Sequence, residues 1–144
     1  MDNGVALITG GASGIGFAVA AQLGRAGYTV VVLGRNTESG RQAATALCAS
    51  GIDAVGDGAD FSNHAEVASL RERLGPLAEP EILVCSAGVM SEKMSKTLRT
   101  APDEWDRVLG VNLLGVVNAL SHFAPPMVAA RSGRVIALSA CLGR

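Results

Sequence analysis

Residues 5–16 read Val-Ala-Leu-Ile-Thr-Gly-Gly-Ala-Ser-Gly-Ile-Gly, and this stretch decides the fold. A short apolar run typical of a buried strand leads into a turn with glycines at positions 10, 14 and 16, and a helical pattern follows over residues 15–25. Glycine lets such a turn close tightly and lets a ligand approach the backbone, while the N-terminus of the next helix attracts anions. This order predicts a binding site for a dinucleotide pyrophosphate.

The rest of the chain repeats the alternation of strand and helix. The patterns predict strands near residues 4–9, 28–33, 52–56, 81–85 and 133–139, and helices over 15–25, 37–49, 63–74 and about 103–131, the last open to division into two pieces. Strands that alternate with helices favour βαβ units. We therefore predict one Rossmann-like domain over residues 1–144, of class α/β, with a doubly wound parallel sheet that is incomplete at the C-terminus.

Composition excludes several functions. The net charge of −1 gives no basis for binding nucleic acid or an anionic membrane. The longest apolar stretch, 108–130, contains asparagines, a histidine and two prolines, so it predicts a helix in a soluble protein and not a membrane span. Cys48, Cys85 and Cys141 lack the paired spacing of a metal site, and three unpaired thiols are typical of the cytoplasm.

The spacing Thr9-Gly-x-x-x-Gly-x-Gly resembles the short-chain dehydrogenase/reductase family. Four further stretches resemble that family in its own order, so the resemblance extends from residue 4 to 144; they are 59–62, 85–88, 105–127 and 133–144. It implies an oxidoreductase that transfers hydride between a nicotinamide cofactor and a small carbonyl or alcohol substrate. The family resemblance also implies a homo-oligomer in the complete form.

The resemblance implies a set of cofactor-binding residues: Thr9, Gly10, Ser13, Gly14, Ile15, Gly16, Arg35, Asp60, Ala87 and Gly88. Asp60 matches an acidic residue that contacts the adenine ring in the family, and the alternative is a carboxylate that stabilises its own loop. Residues 85–88 match the family's Asn-Asn-Ala-Gly, but Cys85 and Ser86 replace both amides.

Arg35 addresses the choice of cofactor. Family members that prefer NAD carry an acidic residue at the end of the second strand, where Gly34 stands here, and Arg35 follows directly. A guanidinium at this place would meet the 2′-phosphate of NADP, so the sequence favours NADP over NAD. The alternative is an ordinary surface arginine.

The catalytic residues raise a difficulty. Asn112 matches an active-site asparagine, and its apolar neighbours predict a buried, hydrogen-bonded amide. Without gaps, Ala140 falls at the position of the catalytic serine; a shift of one residue would give that role to Ser139. The family's Tyr-x-x-x-Lys is not found, and the one tyrosine, Tyr28, has no lysine four residues later.

Two interpretations follow. The first is the cofactor-binding portion of a truncated NADP-dependent enzyme, inactive by itself. The second is a non-catalytic nucleotide-binding or interaction module, which the missing Tyr-x-x-x-Lys favours. A methyltransferase-like fold fits poorly, because Gly34 removes the carboxylate that would bind its ribose.

Overall fold

The computed structural model describes residues 4–91 and 97–139. The strands in these ranges form one five-stranded parallel sheet in the order β3-β2-β1-β4-β5. Their bounds are Val5–Thr9 (β1), Thr29–Gly34 (β2), Ala54–Gly58 (β3), Ile82–Cys85 (β4) and Arg134–Ala137 (β5). The prediction of a Rossmann-like parallel α/β sheet is confirmed, and the strand order reverses at β1.

Helices connect the strands. They are α1 Gly14–Arg25, α2 Thr37–Ala49, α3 His64–Leu74, α4 Pro102–Leu109, α5 Gly115–Phe123 and α6 Pro125–Ala130, with short 3₁₀ segments at Gly75–Ala78 and Thr97–Arg99. A π-helical turn, Gly110–Leu114, joins α4 to α5. The long helix expected near 103–131 is therefore divided more than predicted. Proline explains the second break, since Pro125 and Pro126 have no amide hydrogen and fit only the first turn of a new helix.

The sheet is buried on both faces. Alternate residues of β1 and β2 point to opposite sides, so Leu7 and Val31 pack in a cluster with α3 and α5, while Ile8 and Val32 pack with α1 and α2. All four of these side chains are fully buried. Burial on both faces explains why these strands read as continuous apolar runs.

The part of the molecule formed by β5, α4 and α5 is more exposed than the rest of the sheet and its helices. Every residue of β5 is exposed, and α4, the π turn and α5 present an exposed apolar face that consists of Trp105, Leu109, Leu113, Leu114 and Val117. Within the described ranges, no helix is long and apolar enough to cross a membrane.

Candidate functional site

The predicted cofactor-binding residues meet at one edge of the sheet. The glycine turn follows β1, Arg35 follows β2, Asp60 follows β3, and Ala87 and Gly88 follow β4. The carboxyl ends of parallel strands lie at the same edge, so all of these segments lie together. β1 stands between β2 and β4, where the strand order reverses, and open α/β sheets bind ligands in the crevice at such a point.

Close packing fixes the glycine turn between two strands. The Gly11 amide donates to the Leu33 carbonyl of β2 at 3.1 Å. On the other side, a Cβ on Gly10 would lie 2.6 Å from the Cα and N of Ala87, so the turn touches the loop after β4. Gly10 also has a φ of +65°, which L side chains rarely adopt. Only glycine satisfies both conditions.

Gly16 sets the position of α1. A Cβ at this residue would overlap the carbonyl oxygen of Gly10, because the first turn of α1 packs directly on the glycine turn. Gly14 differs: its φ is +54°, but apart from its two chain neighbours and the nearby α1 backbone, no atom of the described residues lies within 4 Å of the place where its Cβ would be. The glycine turn is therefore packed against the protein at Gly10 and Gly16, and it borders open space at Gly14.

The N-terminus of α1 has no side-chain cap. The capping residue Ser13 makes no such hydrogen bond, and no acidic residue lies in the first turn. By contrast, the side chains of Asn36 and Asn63 accept hydrogen bonds from the first-turn amides of α2 and α3. The positive end of α1 therefore faces the open space above Gly14 without a carboxylate or amide to offset it. This arrangement fits a pyrophosphate.

The end of β2 excludes a carboxylate and presents a cation. A Cβ on Gly34 would overlap the Ser39 hydroxyl and lie 2.8 Å from the Gly40 amide nitrogen, so α2 leaves no room for a side chain there. Arg35 is exposed, and its guanidinium makes no hydrogen bond or ion pair with the described residues. Its charge is available to an anionic ligand.

Asp60 stabilises its own loop. Its Oδ1 accepts hydrogen bonds from the Ser62 amide at 2.9 Å and from the Ser62 hydroxyl at 2.6 Å. Its own amide donates to the Glu66 carboxylate at 2.9 Å. Asp60 therefore does stabilise its own loop, which was the alternative role considered for it. Its contact with the adenine ring stays a prediction.

Asn112 holds the loop that follows β4. Its Oδ1 accepts from the Val89 amide at 2.7 Å, and its Nδ2 donates to the Val89 carbonyl at 2.8 Å. The expectation of a buried amide is wrong, because Asn112 lies on the uncovered π turn and is exposed. The expectation of a hydrogen-bonded amide is confirmed. Val89 directly follows Ala87 and Gly88, so Asn112 fixes the backbone that borders the glycine turn.

Arg107 supports the same loop, a role that the sequence analysis did not predict. It donates to the Met90 carbonyl at 2.7 Å and forms an ion pair with Glu104 at 2.9 Å. The three-residue spacing of Glu104 and Arg107 indicates the ion pair but not the contact with Met90. Only the fold reveals that second contact.

Thr9 connects the end of β1 to the loop that follows β4. Its carbonyl accepts from the Ser86 amide at 3.1 Å, and its hydroxyl lies 3.4 Å from the Ala87 amide that donates to it. Cys85 is a buried free thiol, and burial raises its pKa to about 11. The thiol therefore stays protonated at neutral pH and packs as a small apolar group.

The expected catalytic end lies past β5. Ser139 is exposed two residues after the strand ends, while Ala140 lies outside the described residues. Pairing with β4 continues beyond Ala137, since the Leu138 amide donates to the Cys85 carbonyl at 3.0 Å. Tyr28 lies just before β2, at the opposite edge of the sheet, where it packs against the core.

No group of three or more His, Cys, Asp or Glu side chains in residues 4–91 and 97–139 is arranged to hold an ion. Cys48 and Cys85 are both free thiols.

Comparison with known proteins identifies the relatives of this chain. A family model described as short chain dehydrogenase matches residues 4–144. Glycine betaine reductase ATRR of Emericella nidulans is 38% identical over 97% of this chain and 11% of its own length. The 3-oxoacyl-[acyl-carrier-protein] reductase FabG of Staphylococcus aureus is 33% identical over 96% of this chain and 56% of its own length. The chain thus spans only about half of that relative.

A solved structure shares the fold. A metagenomic short-chain oxidoreductase in complex with NADP superposes with a TM-score of 0.88 and 33% identity, over 98% of this chain and 64% of that one.

Burial of Cys85 predicts a pH dependence of stability. Its pKa is about 11 in the folded chain and has an ordinary value of 9.0. Between these values the unfolded chain loses a proton that the folded chain keeps, so stability falls as pH rises from about 9 toward 11. Urea unfolding at stepped pH should show a steeper loss for the parent than for Cys85→Ala. Cys48→Ala, at an exposed thiol, should follow the parent; parallel curves for all three chains would contradict the assignment.

Proposed function

Because this chain belongs to the short-chain dehydrogenase family, we propose that it is the cofactor-binding portion of an NADP-dependent oxidoreductase. The complete enzyme would transfer hydride between the nicotinamide and the carbonyl or alcohol carbon of a small substrate. One observation carries the proposal. The uncapped N-terminus of α1 faces open space above a glycine turn at the point where the strand order reverses.

The residues of this edge fit the parts of a dinucleotide. Ser13, Gly14, Ile15 and Gly16 would hold the pyrophosphate with amides and a hydroxyl, Thr9 and Gly10 would shape the turn, and Ala87 and Gly88 would let the cofactor approach the backbone. Asp60 would lie toward the adenine. When bound, the nicotinamide supplies the carbon that donates or accepts hydride.

Two features of the β2 end support NADP over NAD. Gly34 has no room for the carboxylate that would accept a hydrogen bond from a ribose 2′-hydroxyl. Arg35 is an exposed cation without a partner in the described residues, and a guanidinium matches a phosphate with two parallel hydrogen bonds. The related metagenomic oxidoreductase was solved with NADP.

Asn112, which the sequence resemblance implies as a catalytic residue, is a positioning residue in this proposal. Its Oδ1 and Nδ2 each make a hydrogen bond with the Val89 backbone, so it acts by fixing the π turn and the β4 loop relative to each other. π turns of this kind occur frequently at functional sites. Ser139 is the candidate for polarising a substrate carbonyl if the strand register is shifted by one residue; otherwise Ala140 takes that position, without a hydroxyl.

The proposal also covers assembly and location. The exposed apolar face of α4, the π turn and α5 supports a homo-oligomer of the complete enzyme, since large exposed apolar surfaces mark protein contacts. Free thiols at Cys48 and Cys85 support the cytoplasm. We propose no contact with nucleic acid or membrane.

A second function is supported by the position of Tyr28. This tyrosine, the only one in the sequence, lies at the amino edge of the sheet and cannot reach a substrate at the carboxyl edge. The chain by itself would then bind nucleotide without turning over a substrate, as a binding module. Both functions share the nucleotide site and differ in chemistry.

Arg35→Ala tests the choice of cofactor. We expect the parent to bind NADP more tightly than NAD, and the variant to lose about 1.5–3 kcal/mol of NADP binding, the range for a hydrogen bond to a charged group, with NAD nearly unchanged. Isothermal calorimetry with both nucleotides measures this. Arg25→Ala is the matched control, because Arg25 is exposed at the other end of α1. Equal or tighter binding of NAD by the parent would contradict the proposal.

Turnover tests whether this chain catalyses hydride transfer by itself, which neither of the two functions expects. We expect the 144-residue chain to bind NADPH and to show no consumption of it with simple ketones, because a positioned acid contributes about 10²–10⁴-fold and the sequence provides no tyrosine at the carboxyl edge. Absorbance of NADPH over time measures this. Consumption that is abolished in Asn112→Ala would show that the chain is an enzyme by itself.

A further inference from the structure

The two histidines of this chain lie against each other. His64 is the first residue of α3, and His122 is near the end of α5, with 57 residues between them in the sequence. Nε2 of His122 lies 3.3 Å from Nδ1 of His64, and the ring centroids are 4.6 Å apart. Oδ1 of Asn118 lies 3.4 Å from the same Nδ1. Nε2 of His122 and Oδ1 of Asn118 thus both lie beside Nδ1 of His64.

Other contacts hold the Asn118 side chain and the α5 backbone in place. The amide of Asn118 donates to the Phe61 carbonyl at 2.8 Å, which turns its oxygen toward His64. Asn118 and His122 are four residues apart and share one face of α5. Arg71 donates to the His122 carbonyl at 2.8 Å and joins α3 to α5. The amide and the α5 backbone would therefore keep their positions without any bond between the rings.

The distances are compatible with a shared ion as well as with long hydrogen bonds. Hydrogen bonds with a nitrogen donor are usually about 2.9–3.0 Å long, and both contacts here are longer. Two ligands of a tetrahedral zinc ion, each about 2.0–2.1 Å from the metal, are about 3.3–3.4 Å apart. The distances from Nδ1 of His64 to Nε2 of His122 and to Oδ1 of Asn118 match this ligand–ligand distance.

We propose that His64, His122 and Asn118 form a binding site for a divalent transition-metal ion of the zinc type, with water as the remaining ligand. Imidazole nitrogen suits zinc, copper and nickel, and the amide oxygen adds a neutral ligand. His64 is exposed, so the ion has a path of entry. The site connects the start of α3 to α5 and is separate from the glycine turn.

Calorimetric titration of the full chain with zinc chloride tests the site. We expect one ion per chain, with affinity reduced more than about 10-fold in His64→Gln and in His122→Gln, since even partners outside the ligand set change affinity by that factor. The control is Cys48→Ser/Cys141→Ser, which removes the exposed thiol and the thiol outside the described residues, and it should bind like the parent. Absence of binding by the parent, or loss of binding only in the cysteine control, would overturn the proposal.

A measurement on the parent alone does not depend on the folding of variants. Because the sequence has two histidines, proton NMR resolves two sets of imidazole ring signals. Both sets should shift together on addition of zinc and stop shifting at one equivalent. If neither set shifts, or only one does, the ion does not bind between the two rings and the site is refuted.

Discussion

The contact between Gly16 and the carbonyl oxygen of Gly10 is the constraint on which the site depends. No side chain fits between them, so the first turn of α1 lies directly on the glycine turn. That contact brings the positive end of the helix to the centre of the sheet, between the ends of β2 and β4. Ser13 leaves this end without a side-chain cap, whereas Asn36 and Asn63 cap the next two helices. An anion is the group that would offset the exposed amides.

Much of the sheet could be predicted because it is buried on both faces. Val31 and Val32 have no exposed surface, and such strands are continuous apolar runs between glycines and polar turns. The glycine turn was equally visible, because a positive φ at Gly10 and the close approach at Gly16 both require glycine. The apolar run of β2 ends at Gly34, so the position of Arg35 directly after this strand could also be predicted.

Other parts of the site could not be predicted from local pattern. The apolar neighbours of Asn112 predict that it is buried, and the structure shows that it is exposed. An apolar pattern identifies one face of a helix, but it does not indicate whether another element covers that face. The bond from Asn112 to Val89 and the contact of His64 with His122 join residues far apart in sequence, so only the fold brings them together. The break at 110–114 is a π turn, for which the sequence gives no signal comparable to proline.

The central claim is that the turn after β1 and the first turn of α1 bind the phosphates of a dinucleotide. Titration of the ¹⁵N-labelled chain with NADPH, followed through its backbone amide resonances, tests this most directly. The account predicts the largest shifts at Gly14, Ile15 and Gly16, with a second set at Arg35, and little change at the amino edge near Tyr28. Saturable shifts elsewhere that leave the amides of Gly14, Ile15 and Gly16 unchanged would contradict it.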